Sequence, residues 1–328
     1  MKLRRLVLIL LPLLILSVAA GLCFGSVPLS PGQLWAALNG SGEKTVRIIL
    51  LNIRLPRVLA GLLAGVGLSV SGTLLQTVTA NDLASPNIIG INSGAGLAVI
   101  ALLTFFPGAH RWVSFGAFWG ALGVALVILA LGRKLGTART GILLTGIAVT
   151  TLLNALISFL SLLDEGVLAE YNHFTVGSLR DVHLQELAVP ALIILVSFGA
   201  ALALSGRLSV LCMGDEAAAA LGIRVRRLRI GAMVCAAAGA AAVVSFAGLL
   251  GFVGLVVPHI ARVLAGQRPG KMLAVGALTG GILVIWADLL GRTLFAPSEL
   301  PVGILMSLIG APYFLILLCR RNGHAGNP

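Results

Sequence analysis

The stretch that decides the fold is residues 251–266, GFVGLVVPHIARVLAG, which is apolar enough for a bilayer yet breaks the rules of a membrane helix. Pro258 removes a backbone donor, and His259 and Arg262 bring polar groups into the apolar run. A bilayer tolerates such breaks only where protein or a water-filled cavity satisfies the freed backbone groups. The stretch therefore favours a transport protein over a purely structural helix bundle.

A second interrupted segment, NDLASPN at residues 81–87, follows a long apolar run that ends near Val78. Paired segments of this kind in the two halves of a chain are the usual sequence indication of a transport pathway. The two breaks together strengthen the prediction of a transport pathway.

The composition indicates an all-α polytopic membrane protein. Hydrophobic residues make up 58% of the chain, charged residues only 10%, and the mean hydropathy is +1.06, whereas soluble domains carry about 25% charged residues. Glycines spaced four apart, which let membrane helices approach closely, recur at 61/65, 90/94, 116/120 and 276/280. The net charge of +12 is scattered over short loops, so membrane lipid rather than nucleic acid is the expected contact.

Apolar runs long enough to cross a bilayer predict ten spans, near 6–25, 58–78, 90–106, 112–132, 140–161, 187–205, 229–249, 252–265, 272–291 and 302–319. The first is too long for a cleaved signal. Five spans per half would run in opposite senses, and the two breaks fall at corresponding places. We therefore expect one permease domain over residues 1–328, built as two inverted five-helix halves.

Loop charge predicts the orientation. One side of the membrane would hold Lys44, Arg47, Arg54, Arg57, Arg111, Arg180 and Arg292, which leaves 16 of the 23 basic residues for the other. That richer side is expected to be cytoplasmic, with both termini inside a prokaryotic cytoplasmic (inner) membrane.

The sequence offers no sign of catalysis or of a bound cofactor. The four cysteines have neither metal spacing nor a pairing pattern, and there is no HExxH motif. The segment GSGEKT at residues 40–45 lacks the Gly-Lys pair of a phosphate loop. We expect no metal, nucleotide or cofactor on this chain, and no enzyme activity of its own.

The longest cytoplasmic loop, residues 206–229, contains a short alanine-rich segment with Asp215 and Glu216 in its first turn and Gly222 at its end. Acidic residues favour a helix N-terminus, and glycine suits a helix C-terminus. Such a capped helix is either a connector or a rigid lever for a cytosolic partner, and the spacing leaves both open.

Taken together, the motifs of the chain resemble those of one known family over nearly its whole length. They are RLPR at 54–57, SG at 71–72 with Gln76, NDLASP at 81–86, Gly90 with SGA at 93–95, GSL at 177–179, GDE at 214–216 with LG at 221–222, GFVGLVVPH at 251–259, AD at 287–288 with Arg292, ELPVG at 299–303 and GAP at 310–312. The chain resembles the permease subunits of the ABC importers for iron chelates, haem and cobalamin. Asp82 departs from the pattern, because the family usually has proline there.

The resemblance implies partners. Such permeases dimerise around a central pathway, so a second copy is expected. They bind two cytosolic ATPase subunits, which use ATP and Mg, and they receive substrate from an extracytoplasmic binding protein. The short GSL motif leads us to expect a ferric siderophore as substrate, with haem and then cobalamin as alternatives.

The resemblance also implies site residues. The ATPase-coupling set is Gly214, Asp215, Glu216, Ala217, Leu221 and Gly222. Arg54, Arg57 and Arg292 are expected to dock the binding protein, with lipid-headgroup anchoring as the alternative. Asn81 and Leu83 are expected to form the cytoplasmic gate.

Asp288 lies inside an apolar run, where a carboxylate is a functional candidate by default. We favour a structural role, in which it pairs with backbone or with Arg292 one turn on. His259 is expected to be a packed residue. An ion-coupled secondary transporter is the alternative from another class, although it would need intramembrane charges and Asp288 is nearly alone.

Overall fold

The computed structural model describes residues 3–25, 27–87, 89–134, 139–296 and 298–325, and within these ranges the chain forms helices and loops without a β-strand. The α-helices are α1 (Leu3–Cys23), α2 (Pro31–Leu38), α3 (Lys44–Ile48), α4 (Leu55–Thr79), α5 (Ile91–Phe105), α6 (Val113–Lys134), α7 (Arg139–Ser161), α8 (Glu165–Val176), α9 (Ala188–Leu211), α10 (Asp215–Ala220), α11 (Val225–Ala247), α12 (Val253–Ala265), α13 (Pro269–Thr293) and α14 (Val302–Ala325). A wider π-type turn at Ile49–Arg54 joins α3 to α4.

The ten predicted spans are confirmed in the described residues. Seven helical segments are long and apolar enough to cross a membrane, and α5, α12 and the Val302–Leu317 part of α14 are shorter apolar helices. The remaining helices, including α2, α8 and α10, lie in the connections between spans.

The two inverted halves are visible in the packing. In the first half, α4 packs on α12 and α13 of the other half; in the second half, α11 packs on α5 and α6. The short helices α5 and α12 correspond, and each follows a residue with left-handed backbone, Gly90 at φ 72° and Phe252 at φ 61°. The predicted fold class is therefore confirmed.

Glycines set the closest helix crossings. A Cβ on Gly65 of α4 would overlap the carbonyl oxygen of Gly280 in α13, and a Cβ on Gly280 would overlap that of Gly65. Gly94 of α5 and Gly120 of α6 meet in the same reciprocal way. Small residues are what allow two backbones this near one another, as the glycine spacing predicted.

The expected break at Pro258 was wrong. Pro258 lies inside α12, and the irregular backbone precedes that helix, at residues 248–252. Proline cannot donate to the carbonyl of Gly254, four residues earlier. That carbonyl faces Gly72 of α4, where any Cβ would overlap it. The helix continues because a glycine on its neighbour leaves room for the freed carbonyl.

The loops gather at the two ends of the bundle, because successive spans alternate in direction. Residues 80–87, 89–90, 212–224 and 266–268 lie at one end, which we call the coupling face. Residues 24–25, 27–54, 177–187, 294–296 and 298–301 lie at the other, which we call the arginine face. The predicted coupling and gate residues share the first face, and the predicted docking arginines lie at the second.

Candidate functional site

The predicted coupling segment folds as the short helix α10, between two positions whose backbone conformation suits only glycine. Gly214, at the N-cap, has φ +117°, and Gly222, just past the C-terminus, has φ +77°. Side chains of L residues rarely adopt such backbone. The glycines thus shape the sharp turns by which the chain leaves α9, forms α10 and enters α11.

One side of α10 is fixed to the membrane domain. Both carboxylate oxygens of Asp215 accept hydrogen bonds from Nη2 of Arg229 in α11, at 2.8 and 2.9 Å, and Ala218 is fully buried. Asp215 therefore positions the helix.

The other side of α10 is exposed. Glu216 is exposed, and Met213 and Leu221 at either end of the helix leave 73% and 67% of their surface accessible. Large apolar side chains around a charge, held on a rigid support, form a surface suited to a protein partner. Sequence reasoning missed Met213, although it precedes the predicted segment directly.

The predicted gate residues lie in the loop after α4. That helix ends at Ala80, whose φ of 47° turns the chain, and the Oδ1 of Asn81 accepts a hydrogen bond of 2.9 Å from the backbone N–H of Leu83. Leu83 is half-buried. Asn81 thus shapes the turn that presents Leu83 at the coupling face.

Asp82, where proline was expected, has a partner in the second half of the chain. Its carboxylate forms an ion pair with Nη1 of Arg262 in α12, and Nη2 of Arg262 donates to Oε1 of Gln76 at 3.1 Å. Gln76 in turn donates to the carbonyl of Leu255 at 3.4 Å. These contacts join the gate loop, α4 and α12 in one polar cluster.

The gate loop and the coupling segment share a cavity of about 370 Å³. Asp82 and Arg262 line one part of it, and Met213 and Gly214, which lead into α10, line another. A displacement of α10 therefore has a short route to the gate loop.

At the arginine face, Arg57 and Asp288 form the centre of a buried network. Nε of Arg57 donates to both carboxylate oxygens of Asp288 at 2.9 and 3.0 Å, and its Nη1 donates to Glu299 at 2.8 Å. Nε of Arg292 lies 3.6 Å from Asp288, and its Nη2 donates to the carbonyl of Gly21. Two guanidinium groups and two carboxylates balance, which is the condition for ionised groups to be buried.

Arg54 is held by backbone carbonyl groups rather than by carboxylates. Its guanidinium group donates to the carbonyls of Leu22 and Cys23 in the last turn of α1 and to that of Val27 in the segment that follows. Only 3–4% of Arg54, Arg57 and Arg292 is exposed. The three arginines therefore join α1, α4 and α13.

These contacts change how the docking prediction is tested. The expected contact of Asp288 with Arg292 is confirmed, but its main partner Arg57, 231 residues away, was missed. The three arginines line a cavity of about 460 Å³ at the arginine face together with Glu299 and the exposed Arg180. Their docking role stays a prediction, and substituting them will also disturb internal bonds.

His259 is a packed residue, as expected. Its ring meets that of Tyr313 edge-on, with centroids 6.1 Å apart. Within the described ranges, no three His, Cys, Asp or Glu side chains are grouped closely enough to hold a metal ion.

Comparisons with known proteins agree with this geometry. The profile of the FecCD transport family matches residues 13–320. The Fe(3+)-citrate import system permease of Bacillus subtilis (strain 168) is 36% identical over 95% of this chain and 94% of its own length. The hemin transport system permease of Yersinia pestis is 38% identical over 95% of each chain.

A solved structure superimposes over almost the whole chain. It is an inward-facing conformation of a metal-chelate type ABC transporter, with a TM-score of 0.86 and 28% identity over 97% of this chain and 99% of that one. The match covers both halves, the coupling segment and the two faces. This chain therefore belongs to the FecCD transport family and is the permease subunit of an ABC importer, a transport component rather than an enzyme.

Proposed function

We propose that the permease carries a metal chelate from an extracytoplasmic binding protein to the cytoplasm. The substrate that we propose within this class is a ferric siderophore. Relatives named for Fe(3+)-citrate, hemin and cobalamin support this substrate class. The observation that carries the mechanism is the position of α10. Met213 and Gly214, which lead into it, line the same cavity as Asp82 in the loop after α4, and Glu216 and Leu221 are exposed. Haem and cobalamin are the alternative substrates.

In this mechanism, two copies of the permease enclose the pathway, and two ATPase subunits bind at α10. Nucleotide binding moves α10, and the residues that line the shared cavity pass that displacement to the loop after α4. The binding protein delivers the chelate at the arginine face. ATP and Mg are used by the ATPase subunits.

The proposed orientation places the coupling face in the cytoplasm and the arginine face outside. The basic residues of the coupling face, including Arg224, Arg226 and Arg227, support it through the positive-inside rule. Both termini then lie inside. Lys2 and residues 326–328 lie outside the described part of the chain, as do the side chains of Arg133, Lys134, Arg139, Arg320 and Arg321.

Reconstitution tests the function. The permease, its ATPase and the binding protein encoded beside them are placed in vesicles, and uptake of ferric siderophore, haem and cobalamin is compared. We expect uptake that requires both ATP hydrolysis and the binding protein. Uptake by the permease alone, driven by an ion gradient, would instead establish the secondary-transporter alternative.

Docking is expected to depend on the charge of the arginine face. Reversing Arg54 and Arg292 to glutamate should weaken binding-protein association by about tenfold or more, and the association that remains should respond less to salt, because charged partners guide docking. Arg180 lines the same cavity and forms no ion pair with any other described residue, so Arg180→Glu separates docking from folding. Unchanged association for all variants, with unfolding temperatures preserved, would leave headgroup anchoring as the role.

The gate is expected to close where Leu83 from each of two copies meets across the dimer axis. In a Leu83→Cys variant, we expect an intersubunit disulfide in the resting transporter, with a yield that changes on nucleotide binding. The exposed Cys212 lines the cavity beside Asp82, so it is replaced by serine in the background. Leu162→Cys, exposed on the arginine side, serves as control. No disulfide in any nucleotide state, with the dimer intact, would place the gate elsewhere.

Asp82 is expected to restrain the gate loop through Arg262. Asp82→Ala should raise the labelling rate of Leu83→Cys by about threefold, since a half-exposed ion pair contributes under about 1 kcal/mol. Asp82→Asn, which retains a hydrogen-bond acceptor, should fall between the two. Equal labelling rates in all three proteins would show that the ion pair does not hold the loop.

A further inference from the structure

A cavity of about 520 Å³ opens at the coupling face between the end of α9, the residues after α10 and the start of α11. Its lining includes Arg207, Arg224 and Arg227, the apolar Leu204 and Leu221, and no acidic side chain. Three cations surrounding one cavity make it a strongly positive site.

The described part of the chain leaves the charges of these arginines without a counter-charge. Among the described residues, no ion pair or side-chain hydrogen bond involves Arg207, Arg224 or Arg227, whereas Arg229 binds Asp215 and Arg262 binds Asp82. Arg224 is also the N-cap of the 23-residue α11, and no side chain caps the N–H groups of that terminus. A helix N-terminus carries a partial positive charge that favours anions. The cavity therefore has the chemistry of an anion site.

The position of the cavity indicates a lipid as the source of the anion. The outer face of α9 exposes Val189, Leu192 and Val196 along the bilayer, and the same helix ends in Leu204 and Arg207 at the cavity. The apolar surface of a span thus leads directly to the three arginines. A phospholipid presents the matching arrangement, with acyl chains beside apolar side chains and a phosphate at the level of the arginines.

We propose that this cavity binds the headgroup of an anionic phospholipid, with the phosphate between Arg207, Arg224 and Arg227. The proposal rests on the proposed orientation, in which the coupling face is cytoplasmic and the lipid comes from the inner leaflet. Because Leu221 and Gly222 line the cavity as well, a bound lipid supports the C-terminal end of the coupling segment. The lipid is therefore a structural ligand of the part of the permease that meets the ATPase.

The test measures lipid binding to the purified permease alone. The permease is placed in zwitterionic nanodiscs that contain increasing amounts of phosphatidylglycerol. It is then released from the nanodiscs, and the phosphatidylglycerol that stays bound is measured by native mass spectrometry. The test variant is Arg224→Gln/Arg227→Gln. The matched control, Arg226→Gln/Arg268→Gln, removes two exposed arginines of the same face that do not line this cavity. We expect the test variant to bind phosphatidylglycerol at least about tenfold more weakly, and the control to stay within about twofold of the unsubstituted chain.

Three results would overturn the proposal. Equal phosphatidylglycerol binding by both variants would mean that the arginines act as scattered surface charge. If inorganic phosphate displaced bound phosphatidylglycerol as effectively as added phosphatidylglycerol does, the cavity would be a free-phosphate site. Normal lipid binding by the test variant, combined with lost ATPase assembly in a separate pull-down assay, would identify an acidic protein surface as the partner. Because no ATPase, nucleotide or chelate is present in the binding experiment, its result stands apart from whether the proposed transport function is correct.

Discussion

Replacing Glu216 with arginine is expected to lower ATP-driven uptake by tenfold or more while the permease dimer stays folded. Glu216 is exposed on the first turn of α10, so the substitution breaks no ion pair or side-chain hydrogen bond among the described residues. A reversed charge at a protein interface costs on the order of 2–5 kcal/mol when it faces its former partner, and about 1.4 kcal/mol is already a factor of ten.

Uptake and ATP hydrolysis are measured together in reconstituted vesicles, so that uncoupling is distinguished from loss of assembly. Glu165→Arg is the matched control, because Glu165 is also an exposed first-turn acid of a short helix, on the opposite face. It should transport normally. Normal uptake by the Glu216→Arg protein would remove α10 from the coupling role.

Gly214→Pro should have the same effect through the backbone. Proline fixes φ near −65°, while Gly214 has a φ of +117°. The turn from α9 into α10 would have to change direction, so Met213 would leave the cavity that it shares with Asp82, and Glu216 would leave its exposed position on α10. Gly214→Ala should be milder, because its Cβ meets no atom within 4 Å and only the backbone strain remains. Full coupling in the proline variant would contradict this account.

The second large effect is expected at Asp288. Asp288→Asn keeps the size of the side chain but leaves Arg57 and Arg292 buried with one carboxylate, Glu299, between them. Removing one partner of a buried ion pair costs about 3–5 kcal/mol. We expect a marked fall in the unfolding temperature of the permease in detergent, followed by tryptophan fluorescence.

Glu299→Gln is the control for this loss. It removes the same charge from the same network, but its side chain is 20% exposed, against 5% for Asp288. Solvent screens such a group, so its contribution is smaller. An unfolding temperature for Asp288→Asn equal to that of Glu299→Gln would show that burial does not decide the energetics of the network.

The amino-acid sequence by itself determined the ten spans, the paired halves and the short capped helix α10. The bilayer requires every span to satisfy its own backbone, so apolar length alone locates the helices. The turns around α10 were equally local, because Gly214 and Gly222 mark positions where only glycine adopts the required φ. Close helix crossings, such as Gly65 on Gly280, were predicted as a class though not as pairs.

Only the tertiary structure decided which distant side chains meet. Arg57 finds Asp288 across 231 residues, and Asp82 finds Arg262 in the other half, because α4 packs on α13 and α12. Pro258 reads as a break in sequence, but a glycine on a neighbouring helix accommodates it. Partners of this kind depend on which helix faces are in contact, and neither hydropathy nor local propensity specifies those faces.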